Sequence, residues 1–346
     1  MARSLHHVII GSGIAGSQAA ETLRDRDPDS RVTIITLSPL LFYNRYDLPR
    51  VFRGVQDWRD FLVFPPSHYE ERRIVVRRDS RVMSLDPLKR QLTLAHKEVI
   101  GYDTLLVATG GRGYLPESLA EFRPLMQGFG SFEQAVTVRR ALPDGGRVVM
   151  LGGDMIGLDL ARTLIDTGYQ VTLVAGEYTF SPHQVSGEAR AGFLKAVEAM
   201  GVAVVDESAV GGIAAVEQGA KGMPARRILF KDGSDCHGDV VMPFYGLVPS
   251  LEFMAKSGTD IERGLLVQPT LRTTDEHIYA AGDVCQIWSA EDRRYRFYYG
   301  WKNVRAMGAV AARNMLGAGE AFVSTQDETL RLDSDGRINS PFWEYH

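Results

Sequence analysis

Gly11-Ser12-Gly13-Ile14-Ala15-Gly16 follows the apolar run His7-Val8-Ile9-Ile10 and opens a small-residue helical stretch, Ser17 to Leu23. Strand, glycine turn and helix in this order are what a dinucleotide pyrophosphate needs. The first glycine makes the tight turn, the second lets backbone approach the phosphates, and the third lets helix pack on strand, with the helix N-terminus facing the anion. A second copy lies roughly a domain further on, where Val148-Val149-Met150-Leu151 runs into Gly152-Gly153-Asp154-Met155-Ile156-Gly157. Its middle glycine is replaced by Asp154, which puts a negative side chain where backbone would meet a diphosphate.

Length and composition agree with a chain built around two such turns. The 346 residues, 45% of them hydrophobic, suffice for more than one core, and length alone gives a prior of about two domains. A net charge of −4 gives no basic footprint for nucleic acid. No apolar run approaches the roughly 20 residues of a membrane span, and MARSLHH enters the first strand directly, so the expectation is a soluble, cytoplasmic protein. The two cysteines, Cys236 and Cys285, are far apart and show no metal-ligand spacing. A cysteine-ligated iron–sulfur cluster takes about four thiolates and is therefore excluded within this chain; no metal site is expected.

The periodicities order the remaining elements. The first βαβ unit has a strand near 7–11, a helix over 14–25 and a strand over 31–36. An aromatic, Arg-rich connection follows from Tyr43 to Phe64, and the alternation over Arg72–Leu94 predicts antiparallel strands. Tyr102 to Thr109 reads as a buried strand leaving through Gly110-Gly111. Residues 147–175 form the second βαβ unit, and Ser186–Met200 an amphipathic helix. Strands are expected over Asp239–Phe244, Gly264–Val267 and Ile278–Val284, and a helix over Trp301–Leu316.

Four motifs in sequence carry a family resemblance: Gly11 to Gly16, Leu106-Val107-Ala108-Thr109-Gly110, the second glycine turn, and Thr273 to Asp283. Together they resemble the pyridine-nucleotide oxidoreductase superfamily of flavoproteins with two dinucleotide-binding domains. Phe42-Tyr43-Asn44-Arg45 followed by Leu48, and Trp301-Lys302-Asn303-Val304 ahead of Gly308, look most like rubredoxin and ferredoxin reductases and the flavin domain of NADH-dependent nitrite reductase. The resemblance implies an α/β fold with two Rossmann-like three-layer domains, the second inserted in the first. The FAD domain would be 1–112 plus 243–318 and the NAD(P)-type domain 113–242. A short tail, 319–346, would replace the family's C-terminal interface domain.

The implied roles are specific. Gly11, Gly13 and Gly16 would hold the FAD pyrophosphate, Thr109 and Gly110 would complete the FAD set, and Asp283 would bond the ribityl chain. Arg45 would lie along the adenine side. The carboxylate expected for the adenosine ribose is absent; Thr36-Leu37-Ser38 stands there, and Ser38 would substitute a hydroxyl. Trp301, with Tyr298 and Tyr299, would line the flavin face or else serve as core. Arg50 and Asp159 occupy the positions where electron-transferring relatives carry a Lys and a Glu beside the flavin, which makes them the candidate catalytic pair. Relatives with dithiol chemistry place a reactive cysteine in the segment matching Asn44 to Pro49, which has no sulfur here.

For NADH, Gly152, Gly153, Gly157 and Glu177 are the candidates. Asp154, and Ala175 where NADH users put an acid, leave productive NADH binding open, and nothing basic stands nearby for the 2′-phosphate of NADPH. The implied function is electron transfer from NADH through FAD to an iron–sulfur carrier such as rubredoxin or ferredoxin, without a redox disulfide. Two alternatives stay open on the sequence: an FAD-containing subunit of a larger redox complex with a degenerate NADH site, and a non-catalytic nucleotide-binding subunit. A hetero-oligomer is part of this expectation. The aromatic tail Pro341 to His346 is expected to dock on the partner or to fray.

Overall fold

The computed structural model describes residues 4–205, 209–216, 225–325 and 329–343. The chain opens with β1 (His6–Ile10), α1 (Ile14–Arg26) and β2 (Arg31–Ile35), followed by a 3-10 helix over Arg45–Arg53, α2 (Pro66–Glu71) and β3 (Ile74–Arg77). An antiparallel trio, β4 (Val82–Asp86), β5 (Gln91–Leu94) and β6 (Val99–Gly101), precedes β7 (Thr104–Val107) and β8 (Gly111–Gly113). The second unit runs α3 (Phe132–Ala141), β9 (Arg147–Gly152), α4 (Met155–Asp166), β10 (Gln170–Ala175), α5 (Gly187–Ala199) and β11 (Ala203–Val205). Next come an antiparallel sheet of β12 (Val210–Val216), β13 (Ala225–Phe230) and β14 (Asp235–Gly238), then β15 (Val240–Pro243) and β16 (Leu247–Pro249). The chain ends with β17 (Leu265–Val267), β18 (Ile278–Ala280), β19 (Cys285–Ser289), β20 (Arg294–Arg296), α6 (Trp301–Met315), β21 (Arg331–Leu332) and β22 (Ile338–Asn339).

Two parallel sheets organise these elements, in the orders β18-β7-β1-β2-β3 and β11-β10-β9-β15. Their central strands are apolar on both faces, as parallel strands covered by other layers must be: Val8, Ile9, Leu105, Leu106, Val107, Val149, Met150 and Leu151 have no exposed surface. Ile74–Arg77, expected among antiparallel strands, instead pairs parallel with β2 at the sheet edge, Val32 beside Ile74. Its short alternating run does not distinguish the two pairings; the crossover after β2, which delivers it to the edge in the same direction, does.

The chain passes between the two sheets along paired segments. Gly111–Gly113 and Leu247–Pro249 form an antiparallel ribbon, with Gly111 opposite Pro249. In the first unit α6 closes directly on α1, and a Cβ on Gly308 would come within 2.3 Å of the Ala15 carbonyl oxygen, so only glycine permits this approach. Among the described residues no helix is long and apolar enough to cross a membrane.

Candidate functional site

Both parallel sheets point the carboxyl ends of their strands at one continuous cavity of about 2310 Å³. That is the edge where open α/β sheets bind ligands, and the volume is well above the roughly 300–1,000 Å³ of a pocket for one small molecule.

In the first lobe the three glycines divide the work. Gly11 has φ +107°, and a Cβ there would lie 2.2 Å from the Ala108 carbonyl oxygen; on Gly16 it would lie 2.0 Å from that of Gly11. Neither position admits a side chain, and Gly16 serves helix–turn packing rather than the cavity wall. Gly13 faces the cavity, with nothing within 4 Å of where its Cβ would be. It precedes α1 without a side-chain cap, so the helix presents its N-terminal amides to a ligand. Ser12 hydroxyl donates to Thr36 Oγ1 at 2.9 Å, and the Ser38 hydroxyl, on the cavity wall, accepts from the Leu40 amide at 3.1 Å. Thr109 Oγ1 donates to the Ser250 carbonyl at 2.8 Å, which ties the end of β7 to the returning chain beside Gly110.

Asp283 lines the same lobe after β18. Its carboxyl is pushed up to about 6 by burial, against the pull of Arg45, which also lines the cavity. No described residue donates a hydrogen bond to it, so the carboxylate faces the cavity needing a donor, as a ribityl hydroxyl would supply. The residues present therefore fit FAD: an open glycine position before an uncapped helix, and an acceptor lining the same lobe.

The second lobe repeats the backbone but not the chemistry. Gly152, with φ +92°, would bring a Cβ within 2.4 Å of the Phe244 carbonyl oxygen, and Gly157 would drive one into the Phe244 ring. Gly153 is packed on Leu173, away from the cavity wall. Asp154 is only 4% exposed. Its Oδ1 accepts from the Gly157 amide and its Oδ2 from the Gly246 amide, each at 2.8 Å. The Met155 amide is likewise used, donating to the Ser181 carbonyl at 2.9 Å. A pyrophosphate does not fit this turn as it fits the first, because the turn already holds an anion.

Other residues of the second lobe went unread in the sequence. Tyr178 packs against Tyr114 and Tyr245, with ring centroids 5.6 and 5.5 Å away, and all three line the cavity beside Glu177. Their signal was positional: Tyr178 follows β10, and Tyr245 follows β15, at the carboxyl ends of parallel strands.

The remaining candidates are scattered. Arg50 pairs with Asp47 at 3.7 Å, donates to the Asp60 carbonyl at 3.4 Å and lies over the Phe61 ring. Asp159 pairs with Arg162 at 3.3 Å. Both line a side cleft of about 270 Å³, and of the two only Asp159 reaches the main cavity. Trp301 stands against Tyr46 at 6.4 Å, outside the cavity wall, whereas Tyr299 and Gly300 line it.

The tail corrects an expectation. Phe342 is buried, stacked on His183 at 5.0 Å, and Trp343 donates through Nε1 to the Met155 carbonyl at 3.1 Å with Arg162 over its ring. Both aromatics pack on the chain itself, Phe342 also against Tyr299 at 6.4 Å; residues 344–346 of the expected docking segment lie outside the described residues.

Two strand–glycine turn–helix units facing one cavity define a protein of the dinucleotide-binding class. The chain belongs to the pyridine nucleotide-disulphide oxidoreductase family, whose sequence model matches residues 5–314. It is 29% identical over 331 residues to the ferredoxin–NAD(+) reductase component of the anthranilate 1,2-dioxygenase system of Burkholderia cepacia, covering 91% of this chain and 76% of the relative. It is 30% identical over 296 residues to the nitric oxide reductase FlRd-NAD(+) reductase of Aeromonas hydrophila, covering 82% of this chain and 71% of that one. In fold it is similar to putidaredoxin reductase in its covalent complex with putidaredoxin, at TM-score 0.82 and 22% identity over 94% of this chain and 78% of that one.

Proposed function

We propose that the chain is an NADH-dependent, FAD-containing reductase of an iron–sulfur protein carrier of the ferredoxin or rubredoxin kind, working without a redox-active disulfide. The observation that carries this reading is the single cavity joining an uncapped glycine turn, a donor-seeking Asp283 and a second dinucleotide-type unit. Relatives named as a ferredoxin–NAD(+) reductase and a rubredoxin-NAD(+) reductase supply the carrier class. The division into 1–112 plus 243–318 and 113–242 is supported by the ribbon of β8 and β16, which pairs the two proposed crossings.

Bound FAD would supply the change from two-electron to one-electron transfer that lies between a nicotinamide and a carrier. Gly13 and the start of α1 would receive its diphosphate, Ser38 and Arg45 its adenosine side, and Asp283 its ribityl hydroxyls. Thr109 holds the floor of the lobe through Ser250. Asp159, which lines both the cavity and the side cleft, would orient what binds there, and Arg50 would act from the side cleft. Both cysteines are unpaired, and Cys285 is buried with its thiol pushed up by burial, the opposite of what a nucleophilic thiolate requires.

A second reading is favoured by Asp154: an FAD subunit of a larger redox complex that does not draw on NADH directly. Anaerobic titration of the FAD-loaded chain separates the two. Bleaching by NADH, followed by reoxidation with added rubredoxin or ferredoxin, is the expected result. Reduction by dithionite alone assigns the chain to the second reading, and failure to retain FAD overturns both.

A further inference from the structure

Gly13 and Asp154 occupy matching places in the two turns with nearly the same backbone, φ −77°, ψ −169° and φ −64°, ψ 173°. This conformation is open to any L-residue, so the replacement costs no backbone strain. At Gly13 a side chain would project toward the cavity. Asp154 instead turns back on its own helix as an N-cap and takes the Gly157 amide at 2.8 Å. With Met155 donating to Ser181, two of the helix N-terminal amides that make a phosphate seat are already satisfied within the chain.

The second carboxylate oxygen reaches further. Gly246, whose amide it accepts at 2.8 Å, has φ +89° and accepts the Tyr114 amide through its own carbonyl at 2.9 Å. Tyr114 and Gly246 sit at the end of the ribbon formed by β8 and β16, by which the chain passes between the two sheets. The carboxylate thus fastens the N-terminus of α4 to that ribbon.

We propose that Asp154 is a built-in anion: it fills the pyrophosphate seat of the second turn, latches α4 to the crossing ribbon, and thereby lowers affinity for nicotinamide dinucleotides. This rests on the reading of the second lobe as the nicotinamide side. A ligand entering there meets the carboxylate and two engaged amides in place of free donors. Its grip must come from the base and ribose ends, beside Tyr178 and Glu177, rather than from its diphosphate.

The test is calorimetric binding of NAD⁺, which needs no turnover, to the FAD-loaded parent, Asp154→Gly and Asp154→Asn, with NADH bleaching measured in parallel. Asp154→Gly, which removes the charge and frees the Gly157 and Gly246 amides, is expected to bind NAD⁺ at least about tenfold more tightly than the parent. Asp154→Asn, which removes the charge but still caps Gly157, is expected to fall between. Equal or weaker binding by Asp154→Gly overturns the proposal. If that variant does not fold, Asp154→Asn decides on the same criterion. Tighter NAD⁺ binding without bleaching in any form supports the built-in anion and removes NADH as donor. Bleaching of the parent at micromolar NADH with no gain in the variants does the reverse.

Discussion

Trp343 donates its indole N–H to the main-chain carbonyl of Met155, 188 positions earlier in the chain, and so joins the C-terminal segment to the first turn of α4. Arg162, about two turns further along the same face of α4, covers the ring at 4.6 Å. A hydrogen bond of about 1 kcal/mol and a cation–π contact of about 0.5–1 kcal/mol are added to the burial of the ring. Trp343→Ala should therefore release the tail while the two parallel sheets stay folded. Trypsin cleavage at the exposed Arg331 and Arg337 should accelerate about tenfold or more, in line with a loss of at least about 1.4 kcal/mol. An unchanged cleavage rate would mean that the tail is held by Phe342 and β22 alone.

The imidazole under Phe342 makes that docking depend on pH. Burial lowers His183 from 6.5 to about 4, and its Nε2 has no hydrogen-bond partner among the described residues. A depressed histidine contributes stability that is fully present above its unfolded value and is lost as pH falls through its folded one, because His183 takes up, once the tail has left, a proton that it refuses while Phe342 covers it. Tail release, followed by hydrogen exchange over 338–343, should rise between about pH 6.5 and about pH 4. His183→Asn should flatten this dependence; a parent that is flat over the same range would show that Phe342 does not bury His183 in solution.

Asp283 offers the most direct measure of FAD binding. A buried hydrogen bond to a charged acceptor contributes about 1.5–3 kcal/mol. Asp283→Leu, which removes the acceptor and keeps the volume, should raise the FAD dissociation constant by about tenfold to a hundredfold, read as flavin lost on gel filtration. Retention equal to the parent would place the ribityl chain elsewhere.

Much of this site was legible because its signals are local. The two glycine turns, the strand before Asp283 and the α6 helix each reside within a few consecutive residues, where periodicity and turn chemistry fix the backbone. What was not legible depends on distant partners. That Asp154 would bend back to Gly157 is ordinary capping chemistry, but Gly246 lies 92 positions away and nothing in the turn announces it. The aromatic tail was visible as a sticky segment, yet its target, Met155 and His183, exists only once α4 and the loop after Phe180 are packed. Arg50 and Asp159 were legible as opposite charges, whereas their ion pairs with Asp47 and Arg162 are set by local helix spacing at i,i+3.

The cysteines give a prediction of no effect. Cys236 lies on β14 and Cys285 begins β19, buried with its Sγ toward the Gly282 carbonyl at 3.5 Å. The double change Cys236→Ser with Cys285→Ala should leave carrier reduction within about twofold of the parent, because neither thiol is an ionised nucleophile. Loss of turnover with FAD still bound would put a thiol back into the chemistry.

The last prediction uses the titration of Asp154. Burial pushes its carboxyl up to about 6, against the amides of Gly157, Gly246 and Ile156, which lower it. Because the folded value is raised, its contribution to stability is present at low pH and lost as pH rises through about 6. The same proton removes the charge that opposes a diphosphate. NAD⁺ binding to the parent should therefore tighten as pH falls from about 7.5 to about 5, while Asp154→Gly should show no such gain, so that the two converge at the acid end. The check is calorimetry at both pH values with FAD occupancy verified in each. Parallel curves for parent and variant would show that the carboxylate does not face the diphosphate, and binding that weakens with acid in the parent alone would mean that the ionised latch holds α4 in the form the ligand needs.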